Sequence, residues 1–248
     1  MDRETIKMTS IYQDNLQSRC PDLFNLAEYV LENANKNPTK KALEIISKFS
    51  NYSISFEELK SRVLKTGNAL IKLGLNRNDK ILLRLDNTVT FPIAYLGAIS
   101  VGIIPVPTSI NLTEYELMEL VKILQPEAII TSKPLSINLG NMKIISETEI
   151  KKLSFEGDEA NFEKGDPDRL AYIVFTSGTS NKPRAVLHAH RAIWARQSMH
   201  SDWYALNSND RLLHAGAFNW TYTLGTGLLD PWSVGATAIV LDYESSLS

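Results

Sequence analysis

The stretch AYIVFTSGTSNKPRAVLH, residues 171–188, decides the fold. Its first five residues are uniformly apolar, which is typical of a strand covered on both faces, and residues 185–188 predict a second short strand. Residues 176–184, between them, contain four hydroxyl side chains, one glycine and two cations. Because N–H, O–H and N⁺–H donors converge in such a loop, it can surround the oxygens of a polyphosphate.

Residues 176–184 allow two other interpretations besides a phosphate loop. Ser, Thr, Gly, Asn and Pro also dominate ordinary surface turns, so composition alone leaves the turn and the phosphate loop equally open. A Walker-type P-loop requires the pattern G-x-x-x-x-G-K-[ST] at the start of a helix. Here Lys182 is followed by Pro183 and a strand, so that spacing fails.

Hydrophobic periodicity places this strand pair in a chain of alternating strands and helices. Strands such as 81–83 and 128–130 are continuously apolar, which favours a parallel sheet with helices on both faces. Two predicted capping boxes, Ser55 with Glu58 and Thr113 with Glu116, mark helix starts. The predicted helices are 21–37, 55–74, 88–102, 113–124, 191–206 and a glycine-rich helix before 237; the predicted strands are 41–46, 80–85, 103–106, 128–131, 170–175, 185–188, 211–214 and 237–241; and residues 146–169 are predicted to form a polar surface connection.

Composition excludes several classes of protein. The 248 residues carry a net charge of -2, which gives no basic field for nucleic acid. The single cysteine, Cys20, excludes a disulfide framework and fits a reducing compartment.

Residues 91–107 are apolar but contain prolines and glycines and fall short of the roughly 20 residues of a membrane span, so burial in the core is predicted. The first 17 residues lack a secretory signal, and a cytoplasmic location is predicted.

His188 and His190 have the spacing of an H-x-H metal motif on one face of a strand. No carboxylate or cysteine nearby in the sequence completes a ligand set, so structural histidines are favoured and no metal site is predicted. The pattern G-x-S-x-G is absent, so Ser177 is not predicted to be a nucleophile.

Residues 175–186 resemble Y-T-S-G-T-T-G-x-P-K-G-V, the phosphate motif of the acyl-adenylate-forming superfamily. This superfamily contains acyl-CoA synthetases, aryl-CoA ligases, luciferases and peptide-synthetase adenylation domains. Segments 52–59 and 95–107 are similar to two further elements of the family. Asn181 and Ala185 stand where the motif has glycines, and Arg184 stands where it has lysine. Arginine keeps the positive charge, and asparagine tolerates a left-handed backbone better than most residues.

The resemblance implies an α/β fold of layered sheets flanked by helices, the incomplete large N-terminal domain of an adenylate-forming enzyme. Residues 1–20 would be an N-terminal extension and residues 21–248 the AMP-binding N-terminal domain. The family's adenine-binding, ribose-binding and hinge segments, and its small domain with the catalytic lysine, match nothing in these residues. No catalytic residue is therefore predicted, and the chain alone is expected to be inactive.

The resemblance also implies ATP-dependent activation of a carboxylic acid to an acyl-adenylate, followed by transfer to coenzyme A. The implied ligands are ATP, Mg²⁺, coenzyme A and a small carboxylic acid, with no nucleic acid and no membrane span. Aromatic residues and glycines of segment 218–225 could form the acyl pocket, although the same pattern is also typical of a buried Trp/Tyr-rich helix. The implied phosphate-binding residues are Thr176, Ser177, Gly178, Thr179, Ser180, Lys182 and Arg184, and the implied acyl-pocket residues are Phe218, Trp220, Thr221, Tyr222 and Gly225.

Two alternative functions stay open from the sequence. One is a truncated, non-catalytic fragment that binds a nucleotide or a partner, which the three departures from the motif favour slightly. The other is an adenylation domain of the peptide-synthetase type, which would pass its acyl group to a carrier protein instead of to coenzyme A.

Overall fold

A computed structural model describes residues 18–47, 51–176 and 183–241. Its helices are α1 (Leu26–Val30), α2 (Asn33–Lys36), α3 (Phe56–Lys72), α4 (Thr90–Ser100), α5 (Glu114–Leu124), α6 (Glu147–Leu153), α7 (Ala192–Ala195), α8 (Gln197–Asp202), a π-helix (Thr223–Leu229) and α9 (Asp230–Val234). Its strands are β1 (Lys41–Ile46), β2 (Asn51–Ser55), β3 (Lys80–Arg84), β4 (Ile104–Pro107), β5 (Ala128–Thr131), β6 (Lys143–Ser146), β7 (Leu170–Thr176), β8 (Arg184–Ala189), β9 (Arg211–Leu213) and β10 (Thr237–Leu241).

Within the described residues, the strands form two four-stranded sheets and one hairpin. The first sheet has the order β4-β3-β5-β6 and is parallel throughout. The second has the order β2-β1-β10-β9, in which only β2 is antiparallel to its neighbour. The predicted parallel sheet is thus confirmed for the first sheet, but β2 and the β7–β8 hairpin depart from it. Short connections after β1 and β7 turn the chain back on itself, whereas parallel pairing needs a long crossover.

Helix α4 is buried along its whole length and crosses helix α3 at close range. A Cβ atom added at Gly67 of α3 would lie 2.7 Å from the Ser100 Oγ atom, so the two helix backbones can approach this closely only because glycine is present. Strand β4 is buried as well, which confirms the predicted burial of residues 91–107. Among the described helices, none combines the length and the apolar character that a membrane crossing requires.

Two of the predicted helices, 21–37 and 191–206, are each divided into two shorter helices. At residues 21–37, the Asn25 Oδ1 atom accepts hydrogen bonds from the N–H groups of Ala27 (2.9 Å) and Glu28 (3.3 Å), so α1 begins only at Leu26. At residues 191–206, the break between α7 and α8 falls at Arg196, whose side chain points inward. The Asn25 cap thus sets the start of α1, and the contact of Arg196 with Asp230 lies at the break between α7 and α8.

The connection predicted at 146–169 contains helix α6, which the sequence did not indicate. Ser146 caps this helix by accepting the N–H group of Glu149 at 3.1 Å. Only Ile150 of the helix is buried, so no apolar periodicity is visible in the sequence. Strands β2 and β6 were missed for the same reason, because most of their residues are exposed.

The predicted capping box at Thr113 and Glu116 is confirmed, since both reciprocal hydrogen bonds are present. At Ser55 only half of the predicted box forms: its hydroxyl accepts the Glu58 N–H group at 3.1 Å. The Glu58 carboxylate lies instead 3.5 Å from the buried Arg62 guanidinium. A buried cation attracts a carboxylate more strongly than a backbone N–H group does.

Candidate active site

The predicted phosphate loop connects strands β7 and β8, which pair with each other in antiparallel orientation. Thr176 and Arg184 are paired across the last rung of the ladder, and Phe175 and Ala185 occupy the rung before it. The hairpin therefore fixes the distance between the two ends of the loop. The loop residues Ser177, Gly178, Thr179, Ser180 and Lys182 lie outside the described residues.

Ala185, one of the three departures from the motif, lies in regular strand β8. Among the described non-glycine residues, positive φ angles occur only at Asn78, Gln125 and Ala205. A left-handed backbone is therefore not required at position 185, and an alanine fits there without strain.

A cleft of about 360 Å³ opens beside the neck of the hairpin. It is lined by Thr176 and Pro183 of the hairpin, by Thr108 and Ser109 directly after strand β4, and by Asn219. In open parallel sheets, ligands bind outside the carboxyl ends of the strands, and this cleft follows the carboxyl end of β4. The Glu116 carboxylate and the apolar side chains of Leu112 and Leu120 also line it, so the cleft offers hydroxyl and amide groups beside one negative charge.

The five predicted acyl-pocket residues do not form one wall. Phe218 is buried in the core, where its ring centroid lies 5.0 Å from that of Phe91. Trp220 and Tyr222 are each 61% exposed. Thr221 and Gly225 are the two that line a common cavity.

This second cavity, which we call the inner cavity, has a volume of about 120 Å³. Tyr172 and His188 line it from the hairpin, Arg196 lines it from the α7–α8 junction, and Thr221 and Gly225 line it from the other side. A Cβ atom at Gly225 would lie 2.8 Å from the Arg196 guanidinium carbon, so glycine is what allows the guanidinium to pack against the π-helix.

The position of Arg196 is fixed by Asp230, which is fully buried. The two side chains form a bidentate ion pair, with Nε–Oδ1 and Nη2–Oδ2 distances of 2.7 and 2.5 Å. The Tyr204 hydroxyl donates to Oδ2 at 2.6 Å, and the His200 Nε2 atom lies 3.3 Å from Oδ1. We call these four residues the Asp230 network. No sequence motif indicated it, because Arg196 and Asp230 are 34 residues apart.

The hydrogen bonds of the network decide the charge of Asp230. Burial raises the pKa of this carboxyl group, but the bonds from Arg196, His200 and Tyr204 outweigh burial and leave the pKa below its usual value. Burial and the hydrogen bond to Asp230 together raise the pKa of Tyr204. The network therefore holds an ionised carboxylate, a protonated arginine and a protonated tyrosine, and the inner cavity borders a charge that is already neutralised.

The H-x-H pair does not form a shared ligand site. The His188 ring stacks on the Tyr172 ring, with centroids 4.5 Å apart and planes 5° apart. His190 lies beyond the end of β8, and its Nδ1 atom accepts the N–H group of Leu26 at 3.0 Å. In residues 18–47, 51–176 and 183–241, no group of three His, Cys, Asp or Glu side chains could hold a metal ion.

We expect the stability of the chain to fall as the pH decreases from neutral, because of His190. Burial, with the charges of Arg169 and Arg77, lowers the pKa of His190 from 6.5 to about 3. Between those values the unfolded chain binds a proton that the folded chain does not, so acidification favours unfolding. Urea unfolding at roughly pH 7.5 and pH 5 should differ by about 2 kcal/mol from this group alone.

The variant His190→Asn, whose amide oxygen can still accept the Leu26 N–H group, isolates this effect. Burial also lowers the pKa of His188, so some pH dependence should remain in the variant. The part of the pH-dependent change in unfolding free energy that the variant loses should approach the contribution of His190. A variant that retains the full pH dependence of the wild type would contradict the assignment.

The comparisons with known proteins identify the family. The sequence profile described as "AMP-binding enzyme" matches residues 30–248. The chain belongs to the AMP-binding enzyme family. Over 206 residues it is 25% identical to a 3-hydroxybenzoate–CoA/4-hydroxybenzoate–CoA ligase from Thauera aromatica, covering 76% of this chain and 39% of that ligase. It is 26% identical to a mitochondrial acyl-coenzyme A synthetase from Homo sapiens, covering 87% of this chain and 41% of the synthetase.

A solved structure of an AMP-binding relative supports the fold. The structure of a benzoate CoA ligase from Burkholderia xenovorans superimposes with a TM-score of 0.78 at 26% identity, covering 88% of this chain and 45% of that one. The implied fold class, layered α/β with the architecture of an adenylate-forming N-terminal domain, is thus confirmed. The chain spans about two fifths of the length of the curated AMP-binding relatives described above.

Proposed function

We propose that this chain supplies the ATP phosphate loop and part of the acid pocket of an AMP-forming acid–thiol ligase, an acyl-CoA synthetase. One observation carries the proposal: the pairing of Thr176 with Arg184 closes a hairpin around the motif, inside the region that the AMP-binding profile matches. The relatives named as hydroxybenzoate–CoA and benzoate–CoA ligases favour an aromatic acid as the substrate. We further propose that residues 21–248 belong to one domain and that residues 1–20 precede it, in a cytoplasmic protein.

The proposed reaction has two steps. A carboxylate oxygen of the acid attacks the α-phosphorus of ATP, the bond from that phosphorus to the bridging oxygen breaks, and pyrophosphate leaves. The sulfur of coenzyme A then attacks the acyl carbon, the bond from this carbon to the AMP oxygen breaks, and the thiol proton passes to solvent. In the first step, negative charge builds up on the departing pyrophosphate, and this charge must be stabilised.

The residues of the loop would provide that stabilisation. Hydroxyl and backbone N–H groups would hold the β- and γ-phosphates, while Lys182 and Arg184 would neutralise their charge. The pairing of Thr176 with Arg184 would hold the two ends of the loop at a fixed separation. The loop residues proposed to contact the phosphates are Thr176, Ser177, Gly178, Thr179, Ser180, Lys182 and Arg184.

Mg²⁺ bound to ATP would add further charge neutralisation at the phosphates. Within the described residues, His, Cys, Asp and Glu side chains form no group of three that could hold a metal ion.

The test is acid-dependent exchange of labelled pyrophosphate into ATP by the protein that contains these residues. We expect Lys182→Ala and Arg184→Ala each to slow exchange by roughly 100-fold, the usual effect of removing one donor that stabilises transition-state charge. The matched control is Lys164→Ala, because Lys164 pairs with Glu28 away from the hairpin. Unchanged exchange in both loop variants would refute the proposed role of the loop.

The 248-residue chain by itself is expected not to catalyse exchange. It spans 39% of the Thauera aromatica ligase, and the nucleotide site of such an enzyme would need residues outside that share. Acid-dependent exchange by the purified chain would contradict this expectation and would mean that the described cavities are sufficient for adenylation.

A further inference from the structure

The Asn87 side chain connects the end of strand β3 to a loop that lies 129 residues further along the chain. Asn87 is in the turn between β3 and α4, and only 8% of its surface is exposed. Its Nδ2 atom donates to the Gly216 carbonyl at 2.9 Å, and its Oδ1 atom accepts the N–H group of Phe218 at 3.0 Å. We call this pair of hydrogen bonds the Asn87 clamp, because one amide holds two backbone groups of the same loop.

The clamped loop, residues 214–219, follows strand β9 and precedes the π-helix. Gly216 donates its N–H group within the loop, to the His214 Nδ1 atom at 3.1 Å. Such a local bond shapes the loop but does not tie it to another element of the fold. The clamp does so, together with the packing of the Phe218 ring on Phe91 of α4. The position of the loop relative to the first sheet therefore depends on Asn87.

The loop and the residues directly after it contribute to both cavities of the candidate site. Asn219 lines the cleft beside the hairpin, together with Thr176, and Thr221 lines the inner cavity. Asn87 itself lines neither of them. Because Asn219 directly follows the clamped residue Phe218, a displacement of the loop would change the cleft and the inner cavity at once.

We propose that Asn87 is a positioning residue for the formation of the acyl-adenylate. Its clamp holds the 214–219 loop so that the two cavities keep the relative position at which acid and ATP can react. This inference rests on the proposed function, in which both ligands bind to this chain. A displacement of about 1 Å can lower a rate by roughly 100-fold, because the reacting atoms must be held in a near-attack geometry. Removal of the clamp should therefore slow the reaction far more than it weakens the binding of either ligand.

Hydrogen exchange in the 248-residue chain tests the clamp itself. In Asn87→Leu, whose side chain has a similar size but no polar atom, the Phe218 N–H group loses its acceptor. We expect this amide to exchange with deuterium at least about tenfold faster than in the wild type. The matched control is Asn68→Leu, which removes a hydrogen bond from Nδ2 to the Asp158 carbonyl (2.8 Å), away from both cavities. Unchanged exchange of the Phe218 amide in Asn87→Leu would overturn the inference.

Acid-dependent pyrophosphate exchange by the protein that contains these residues tests the effect on the reaction. It is measured at a temperature at which circular dichroism shows each variant to be folded. We expect Asn87→Leu to lower the maximal rate per folded molecule by at least about tenfold, and to change the half-saturating concentrations of acid and ATP by less than about threefold. A residue that only stabilised the fold would leave this rate unchanged.

The variant Asn87→Asp keeps the acceptor for Phe218 but loses the donor to Gly216, so its maximal rate should lie between those of the wild type and Asn87→Leu. It carries the test if Asn87→Leu does not fold. A wild-type maximal rate in folded Asn87→Leu, or an equal loss in Asn68→Leu, would overturn the inference. Failure of the proposed function has a different signature: the wild-type protein itself shows no pyrophosphate exchange, and the positioning role falls with it.

Discussion

Asp230→Ala is expected to lower the free energy of unfolding by about 3 kcal/mol, because it leaves a largely buried guanidinium without its carboxylate. The Arg196 side chain is 24% exposed, which places the loss at the lower end of the range for buried ion pairs. The Tyr204 hydroxyl and the His200 ring would lose their carboxylate partner at the same time. Urea denaturation of the purified variant at neutral pH measures the change.

The control for this experiment is Asp202→Ala, since Asp202 is an exposed aspartate at the end of α8. Its substitution should change stability by less than about 0.5 kcal/mol. The double variant Asp230→Ala/Arg196→Met should recover part of the loss, because it removes the unpaired charge as well. Equal effects of the two single aspartate substitutions would show that the Asp230 network contributes nothing.

Trp232→Ala should cost about 4 kcal/mol of unfolding free energy, the largest single effect that we expect. This side chain is fully buried, and its Nε1–H group donates to the Ala42 carbonyl of β1 at 2.8 Å. The substitution therefore creates a cavity and also removes a hydrogen bond between α9 and the second sheet. Thermal or urea unfolding, followed by circular dichroism, checks the size of the effect.

Trp203→Ala is the matched control, because the same side chain is 63% exposed at that position. It should change stability by less than about 0.5 kcal/mol. The loss of unfolding free energy in Trp232→Phe should lie between the losses in the two alanine variants. The phenyl ring keeps most of the packing but cannot donate a hydrogen bond to Ala42. A small effect of Trp232→Ala would mean that α9 is not anchored to β1.

The two alanine substitutions also bear on the site. Asp230 and Trp232 both belong to α9, which directly follows the π-helix that contains Gly225. Asp230 orients Arg196 against that glycine, and Trp232 fixes the helix to β1. Arg196 and the π-helix, which both contribute to the inner cavity, are thus held by the Arg196–Asp230 ion pair and by the packing of the buried Trp232.

The amino-acid sequence by itself determined the features that depend on neighbours along the chain. Strands 41–46, 128–131 and 237–241 were predicted with the bounds that the structure shows, because short segments rich in apolar residues between turn residues are a local signal. The Thr113 capping box and the burial of α4 were likewise readable from spacing and composition. The motif at 175–186 was sufficient to indicate the family that the comparison then established.

Only the tertiary structure decided which side chains meet. Arg196 lies within residues 191–206, which the sequence predicts to be one helix, yet its partner Asp230 follows 34 residues later. His188 appeared as half of a metal motif, but pairing with β7 stacks its ring on Tyr172, and both side chains line the inner cavity. Periodicity and capping report interactions within a few residues, whereas pairing between distant segments is set by the packing of whole sheets and helices.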